Sequence, residues 1–318
     1  MDIPIIVQIV TYNSGHCILF CIDSLLKQTF QEFKIVILDN NSNDGTVELV
    51  NSHYGNDKRI EIIRSETNHG FCKGHNIIID RYESKYKLVL NPDAVLSEEY
   101  LEKLFKFMES MPHVGMATGV IYRSKNSTEI DSAGIKLLRT RRAKDIKTKP
   151  DNVQEVFGIC GAVAFYRSAC LTDCKINNEY FDEDFFAYKE DVDLAWRSQK
   201  MGWKAMVIPD VFAYHERNWK PNVRKNISRI TKIHSFKNRY LMIIKNEEIG
   251  NIANHTILLV YEIAVLFFVL LREPYLLMSY YKVFCLFSKF LQKRKMIRKI
   301  TNNRVREGNK NEVFQSNL

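Results

Sequence analysis

The sequence lacks the glycine-rich motifs by which the commonest nucleotide-binding folds hold phosphate. The first polar turn, TYNSGH at 11–16, contains no G-x-G-x-x-G, and no G-x-x-x-x-G-K-[ST] occurs along the 318 residues. Dinucleotide binding of the Rossmann type and P-loop hydrolysis of nucleoside triphosphates therefore lose their main sequence support.

The sequence also shows neither the cysteine spacing of a disulfide framework nor the features of a signal peptide. The seven cysteines are an odd number without zinc-finger spacing, which predicts reduced thiols of a cytosolic protein rather than a disulfide framework. The first ten residues, MDIPIIVQIV, carry an acid and no basic segment, so they predict a first strand and not a signal peptide.

Positive charge is abundant but uneven. The formal net charge is +9, and the excess lies in a cluster at 136–149 and in a tail at 282–306. Such clusters bind nucleic acid, an anionic membrane or a diphosphate, and charge alone does not choose among them.

Short β-branched runs alternate with amphipathic segments over the first 110 residues. Buried strands are predicted at 3–10, 33–38, 60–64 and 86–90, with helices at about 16–28, 44–53, 71–83 and 98–110. Further strands are predicted at 114–122, 156–166 and 203–209, a helix at 189–201, and a polar, basic insertion or loop at 123–150. Strand–helix alternation predicts an α/β fold with a mostly parallel sheet.

The four strand ends are rich in short polar residues. They are TYN at 11–13, DNNSNDG at 39–45, NHGFCKGHN at 68–76 and NPDA at 91–94. Any one of them is an ordinary turn, but four at the carboxyl edge of one sheet favour a shared ligand site. Asp39 can accept a hydrogen bond from a base N–H, and Asp93 can hold Mg²⁺ or Mn²⁺ together with phosphate oxygens.

These segments, followed by FDEDFFAYKEDVDLAWR at 181–197, resemble family 2 glycosyltransferases over about residues 3–240. The NPD form and the EDVDLAWR helix are most similar to the bacterial rhamnosyltransferase branch. The resemblance implies a GT-A fold and a metal-dependent, inverting transfer of sugar from a nucleoside diphosphate. Asn91 stands where the family's D-x-D motif has its first acid, which leaves Asp93 as the single carboxylate of the motif.

The resemblance also implies roles for individual residues. Thr11, Asn13 and Asp39 would contact the nucleoside, whereas Asp44 more simply caps the next helix. Residues lining the diphosphate would be Asn68, Gly70, Lys73 and Asn76, beside Asn91. Asp93 would hold the metal, and His215 is either an additional metal or diphosphate ligand or an ordinary surface histidine.

The acidic segment carries the expected acid–base chemistry. Direct displacement at an anomeric carbon needs one general base for the acceptor proton. By the resemblance that base is Asp191, with Glu190 positioning the acceptor or the helix. Both acids also stabilise a helix N-terminus, which is the purely structural alternative. Gly158 and Gly161–Ala162 can leave room for a sugar or serve only close packing.

The last quarter differs in character. Residues 256–271 are apolar except for Glu262, and an aromatic, lysine-rich helix and the basic tail follow. We expect a catalytic domain at 1–230 and a helical, membrane-leaning extension at 231–318. The extension is expected to lie on the anionic cytosolic leaflet, with helical packing on the catalytic domain, a dimer contact and a short membrane span as alternatives.

The sequence therefore predicts a cytosolic, peripherally membrane-bound glycosyltransferase that uses Mg²⁺ or Mn²⁺. Its donor would be dTDP-L-rhamnose or a UDP-hexose, and its acceptor a glycan or a polyprenyl-linked glycan of cell-surface polysaccharide synthesis. The alternatives are a non-catalytic nucleotide-sugar-binding or scaffold protein, and a nucleic-acid-binding protein that rests only on the basic clusters.

Overall fold

The computed structural model describes residues 3–216, 224–248 and 252–315. The strands are β1 Ile5–Thr11, β2 Phe33–Asp39, β3 Ile60–Arg64, β4 Tyr86–Leu90, β5 Ala94–Leu96, β6 Val114–Tyr122, β7 Ile130–Ser132, β8 Ile135–Leu137, β9 Ala143–Asp145, β10 Gln154–Val156, β11 Val163–Arg167 and β12 Lys204–His215. The helices are α1 Ile18–Leu26, α2 Thr46–Tyr54, α3 Gly70–Arg81, α4 Tyr100–Ser110, α5 Ser168–Asp173, α6 Glu190–Lys200, α7 Arg229–Asn246, α8 Ile252–Arg272 and α9 Leu277–Gln315.

One central sheet organises the molecule, in the order β10-β12-β6-β11-β4-β1-β2-β3. The four strands from β3 to β4 run parallel, whereas β11 is antiparallel to both of its neighbours. The predicted parallel sheet is thus present in the first half of the chain, and the second half makes the sheet mixed. All but one residue of β1 are buried, as expected for a central strand covered on both faces.

Three strand predictions differ from the structure. The strand predicted at 156–166 is not continuous, since β10 ends at Val156 and β11 begins at Val163. The segment 123–150, expected to be a polar insertion or loop, contains β7 and the separate β8–β9 hairpin. The last strand was expected to end at 209 but continues to His215. Pro209 lacks an N–H, and the pairing of β12 with β6 shifts register between Ile208 and Phe212, so the strand bulges there and continues.

The C-terminal helices share a core with the sheet domain. Leu241 and Met242 of α7 and Phe290 and Ile297 of α9 are fully buried in the same apolar cluster as Phe181. The predicted helical extension is present, but the boundary expected near residue 230 divides two regions that pack as one. The packing alternative accounts for the inner faces of α7 and α9.

The outer face of α8 is apolar and exposed. The described residues contain one helical stretch long and apolar enough to cross a membrane, His255–Arg272, and only 6% of it is buried. The stretch meets this criterion by its length and composition. Glu262, in the middle of the stretch, points toward α7, where it accepts hydrogen bonds from Arg239 and Tyr240 at 2.5 Å each.

Candidate active site

The expected nucleoside residues lie at the carboxyl edge of the parallel strands. Thr11 and Asp39 are register partners at the ends of β1 and β2, and both are buried. Asp39 accepts hydrogen bonds from the N–H and the hydroxyl of Ser42, at 2.9 and 2.5 Å. The Thr11 hydroxyl has no hydrogen-bond partner in the structure. Because a buried hydroxyl without a partner is costly, it is suited to a polar ligand at this edge.

Asn13 connects two of the polar loops. Its backbone is in the left-handed region, at φ 52°, and its N–H donates to the Ser42 hydroxyl at 2.8 Å. Its side-chain oxygen accepts the N–H of Asn43 at 2.9 Å. Asp44 accepts the N–H groups of Gly15 and Thr46, so it fixes the start of α2 as expected.

Three residues expected on the diphosphate side lie at or next to the start of α3. Asn68 accepts the N–H of Gly70 at 2.8 Å, and Gly70 has a φ of 74°. A β-carbon at Gly70 would lie 2.6 Å from the ring of Phe186, so only glycine fits this position. Lys73 is exposed on the first turns of α3, where an ammonium group can reach a diphosphate.

Asn76, also expected on the diphosphate side, makes different contacts. Its amide nitrogen donates to the carbonyl of Phe181 and the carboxylate of Glu183, at 2.8 and 3.1 Å. Its oxygen accepts the N–H of Phe181 at 2.9 Å. These bonds occupy its polar groups, so Asn76 joins α3 to the acidic segment rather than lining the diphosphate.

The predicted metal residues come together around one imidazole. Nε2 of His215 lies 3.3 Å from Oδ1 of Asp93 and 3.2 Å from the side-chain nitrogen of Asn91. Nδ1 of His215 lies 3.1 Å from Oδ2 of Asp131, a carboxylate with no exposed surface. An Nδ1–H donated to Asp131 leaves the Nε2 lone pair facing Asp93, as in carboxylate–histidine–metal arrangements.

These residues fit a divalent cation that is held jointly with a substrate. In the described ranges no three His, Cys, Asp or Glu side chains form a metal cluster. Asp93 and His215 supply one carboxylate and one imidazole, a donor set suited to Mn²⁺. Such an ion commonly completes its coordination with water and substrate phosphate.

Glu190 and Asp191 open α6 and face the turn before β11. Asp191 accepts the N–H groups of Gly161 and Val192 at 3.2 and 2.8 Å. Glu190 is buried, and its Oε2 has no hydrogen-bond partner in the structure. A β-carbon on Gly161 would lie 3.4 Å from the β-carbon of Asp191, at ordinary van der Waals distance, so this turn passes close to the acids.

The two neighbouring carboxyls differ in how well their charge is stabilised. Burial, and to a smaller extent the charge of Asp191, raise the pKa of Glu190 to about 8. Burial also raises the pKa of Asp191, but Lys189 and the N–H donors of Gly161 and Val192 oppose that rise. When two such groups cannot both ionise easily, the better-solvated one carries the charge. Asp191 is therefore the carboxylate and Glu190 the neutral acid near pH 7.

One dipeptide connects the metal side to the acid side. The N–H of Asn91 donates to the carbonyl of Ala162 at 2.8 Å, and the N–H of Gly161 donates to Asp191. Asn91 and Asp93 therefore lie next to the turn that faces Glu190 and Asp191. The polar strand ends and the acidic helix, separate in sequence, line one site.

Other residues considered for the site serve packing. A β-carbon on Gly158 would lie 2.4 Å from Ala195, so Gly158 admits α6 against the sheet. Trp196 packs on Phe157, and Trp203 donates its N–H to Asp173 at 2.8 Å. Trp219 lies outside the described residues. All seven cysteines, which lie within the described ranges, are free thiols.

Asp131 was missed in the sequence. It belongs to β7, inside the segment expected to be a polar loop. The available indication was an acid flanked by apolar and small residues in IDSAG, a pattern too common to single out.

Comparison with known proteins agrees with this geometry. The family model "Glycosyl transferase family 2" matches residues 6–171. The chain belongs to that family. The amylovoran biosynthesis glycosyltransferase AmsB of Erwinia amylovora is 25% identical over 67% of this chain and 70% of its own length. The first three curated relatives match over only 32%, 58% and 43% of their own lengths.

Solved structures of glycosyltransferases share the fold. S. aureus TarS 1–349 in complex with UDP-GlcNAc has a TM-score of 0.55 at 21% identity, over 80% of this chain and 70% of that one. The mannosyltransferase PcManGT from Pyrobaculum calidifontis, in complex with GDP-Man and Mn²⁺, has a TM-score of 0.56 at 14% identity, over 96% and 88%. The predicted GT-A α/β fold is confirmed.

Proposed function

We propose that this family 2 member is an inverting glycosyltransferase, which moves a sugar from a nucleoside diphosphate to an acceptor hydroxyl. The observation that carries the proposal is that the dipeptide Gly161–Ala162 connects the expected metal-binding residues to the acids at the start of α6. Asp93 and His215 lie on one side of that dipeptide, and Asp191 accepts a hydrogen bond from the other. Displacement at an anomeric carbon needs these two functions adjacent: a site for the leaving diphosphate and a base for the attacking hydroxyl.

The donor side uses the strand ends. Thr11, Asn13 and Asp39 face the nucleoside, and Asn68, Gly70 and Lys73 face the diphosphate beside Asn91. Asp93 and His215 would hold Mg²⁺ or Mn²⁺, which neutralises charge developing on the leaving diphosphate. The Mn²⁺ in PcManGT supports this assignment, since that protein has the same fold.

Asp191 takes the acceptor proton. Its oxygens are held by two N–H donors, so the carboxylate is oriented before the acceptor arrives. Glu190, protonated near neutral pH, donates a hydrogen bond to the acceptor instead of competing with Asp191 for the acceptor's proton. The acceptor oxygen attacks the anomeric carbon while the bond to the diphosphate breaks, without a covalent intermediate on the protein.

The donor is dTDP-L-rhamnose or a UDP-hexose. The NPD and EDVDLAWR segments support rhamnose, and the UDP-GlcNAc bound by TarS supports a UDP-sugar. The acceptor is a glycan or a polyprenyl-linked glycan of a cell-surface polysaccharide, in keeping with the amylovoran synthesis named for AmsB.

The protein works at the cytoplasmic face of the cell membrane, with α8 lying on the anionic surface. Leu259, Phe267 and Leu271 on α8 and Phe284 on α9 are all at least 60% exposed. Glu262 is bonded to Arg239 and Tyr240 of α7, so α8 is held along the protein surface. This favours a helix that lies in the plane of the membrane surface over a transmembrane helix, because a transmembrane α8 would separate Glu262 from Arg239 and Tyr240.

The basic tail contributes less to the membrane surface than its charge suggests. Packing against the protein accounts for three of the tail's cations, because Lys289, Lys293 and Arg304 pair with Asp184, Asp182 and Asp173 of the sheet domain.

A donor screen tests the proposal. Thermal unfolding would be followed with dTDP-L-rhamnose, UDP-glucose, UDP-GlcNAc and GDP-mannose, each with Mn²⁺, with Mg²⁺ and with chelator. A true donor raises the melting temperature by mass action, and the increase requires the metal. Release of nucleoside diphosphate from the selected donor then separates an enzyme from a protein that only binds the sugar nucleotide. A chain that none of these donors stabilises would contradict the proposal.

A further inference from the structure

The loop before α6 has an unfavourable backbone conformation. Phe186, Tyr188 and Lys189 have φ values of 66°, 73° and 71°, in the left-handed region that residues other than glycine avoid. Three such residues within four positions persist only where neighbouring groups hold them. The loop leads directly into Glu190 and Asp191, so whatever holds it also sets the position of the two acids.

A single side chain on α7 holds most of this loop. The amide nitrogen of Asn238 donates to the carbonyls of Phe185, Ala187 and Tyr188 at 3.0, 2.8 and 2.7 Å. Asn238 has no exposed surface. The two N–H groups of this buried amide are shared among three carbonyls, so removing the amide takes a donor from each of them.

The remaining carbonyls of the loop are held by its other neighbours. Lys237, beside Asn238 on α7, donates to the carbonyl of Asp184 at 2.7 Å. The N–H of Cys72, in the first turn of α3, donates to the carbonyl of Phe186 at 3.1 Å. Every carbonyl from residue 184 to 188 therefore accepts a hydrogen bond. For four of these five carbonyls a donor lies on α7.

A buried charge cluster fixes α7 to the acidic segment. Nζ of Lys245 lies 2.5 Å from Asp182 and 2.8 Å from Asp193, and none of the three is more than 4% exposed. Asn246 donates to the other oxygen of Asp193 at 2.8 Å. Removing one partner of such a pair leaves a buried charge uncompensated, which is strongly destabilising.

Helix α9 completes the cluster from the other side. Nζ of Lys293 lies 2.5 Å from Asp182 and 2.8 Å from Asp184, and the lysine side chain is 1% exposed. Asp182 thus receives one lysine from α7 and one from α9. The acidic segment cannot keep this conformation without the two C-terminal helices.

We propose that α7 and α9 form part of the active site's acceptor side, with Asn238 as the positioning residue that holds loop 185–189 so that Asp191 faces the acceptor hydroxyl. This inference rests on the base role proposed for Asp191. It assigns a function in transfer to helices that lie outside the matched family region, residues 6–171.

The test compares two buried amides, Asn238 on α7 and Gln28, two residues after α1. Asn238→Leu removes the loop bonds, whereas Gln28→Leu, the matched control, removes bonds to the carbonyls of Ser24 and Ser97 and from the N–H of Leu101. Both full-length variants should lose melting temperature. Asn238→Leu alone should lower kcat at least about 10-fold. The dissociation constant for dTDP or UDP in Mn²⁺ should change much less, because the bond from the Cys72 N–H to the Phe186 carbonyl, which ties the loop to α3, does not involve Asn238.

Turnover is followed as release of the nucleoside diphosphate from dTDP-L-rhamnose or a UDP-hexose, at saturating donor. Equal kcat in wild type and Asn238→Leu, or equal losses in both variants, would overturn the positioning role. If the leucine variants do not fold, Asn238→Ser and Gln28→Ser give the same comparison with a smaller disturbance. Asp191→Asn is measured alongside. If Asp191→Asn keeps full turnover, the proposed function has failed. If Asp191→Asn loses turnover but Asn238→Leu keeps it, only the positioning inference has failed.

Discussion

Nδ1 of His215 lies 3.1 Å from Oδ2 of Asp131, and Asp131 is completely buried. A buried carboxylate at this nitrogen selects the tautomer whose Nε2 is unprotonated. Asp131 therefore determines whether His215 can act as a ligand beside Asp93.

Asp131→Asn is expected to weaken metal binding. The asparagine amide can donate to Nδ1, which favours the tautomer with a proton on Nε2. Loss of such a supporting carboxylate typically costs about 10- to 100-fold in metal affinity. A Mn²⁺ titration of donor binding by calorimetry measures this effect, with exposed Asp151→Asn as the control. An unchanged Mn²⁺ requirement would contradict the role of Asp131.

Asp93→Ala should abolish transfer while the fold stays intact. Asp93 is at the surface of the site, 23% exposed, and its ion pair is with His215. Turnover and thermal unfolding are measured together. Near-wild-type turnover of the variant in the presence of chelator would show that Asp93 is not the metal ligand.

Asp191→Asn should keep donor binding and lose about 10²-fold or more in turnover, because the amide cannot accept the acceptor proton. Glu190→Gln should cost much less, since an amide can replace the hydrogen bond of a neutral acid. Steady-state kinetics at saturating donor distinguish the two. A large loss at Glu190 with little effect at Asp191 would reverse the assignment.

The stability of the protein should depend on pH through Glu190. Its pKa rises from 4.5 to about 8 on folding, chiefly because it is buried. Between these values the folded state binds more protons than the unfolded state, so the free energy of unfolding falls as pH rises through the window. Glu190→Gln should flatten this slope in urea unfolding from pH 5 to 8. Parallel slopes for both proteins would mean that Glu190 is not buried as a neutral acid.

Membrane binding is expected to follow the exposed face of α8. Leu259→Ser, Phe267→Ser and Leu271→Ser together should reduce pelleting with phosphatidylglycerol vesicles, and wild-type pelleting should weaken as salt rises. Phe20→Ser, at an exposed phenylalanine of α1, is the matched control. Truncation near residue 245 is unsuitable, because it removes Lys289 and Lys293 and leaves Asp184 without either of its lysine partners. Equal pelleting of all three proteins would place membrane contact elsewhere or nowhere.

The sequence alone determined the sheet's first half and the polar edge of the site. Mostly apolar, β-branched runs such as Ile5–Thr11, where Gln8 and Thr11 are the polar residues, have few ways to be buried except as central strands. Parallel strands then place their carboxyl ends together, which brought Thr11 and Asp39 into register and set Asp93 at the same edge. Local pattern and elementary topology were sufficient for these features.

Only the tertiary structure decided which polar groups are partners. Asp131 and His215 are 84 residues apart, and Asp182 and Lys293 are 111 apart. A lysine in a basic tail has the same sequence pattern whether it faces lipid or a buried carboxylate. The difference arises from packing, because the apolar side of α9, with Phe290 and Ile297, enters the core and carries Lys293 inward with it. Sequence therefore located the chemistry of the donor side, whereas the support of the acceptor side depends on long-range contacts that no local pattern encodes.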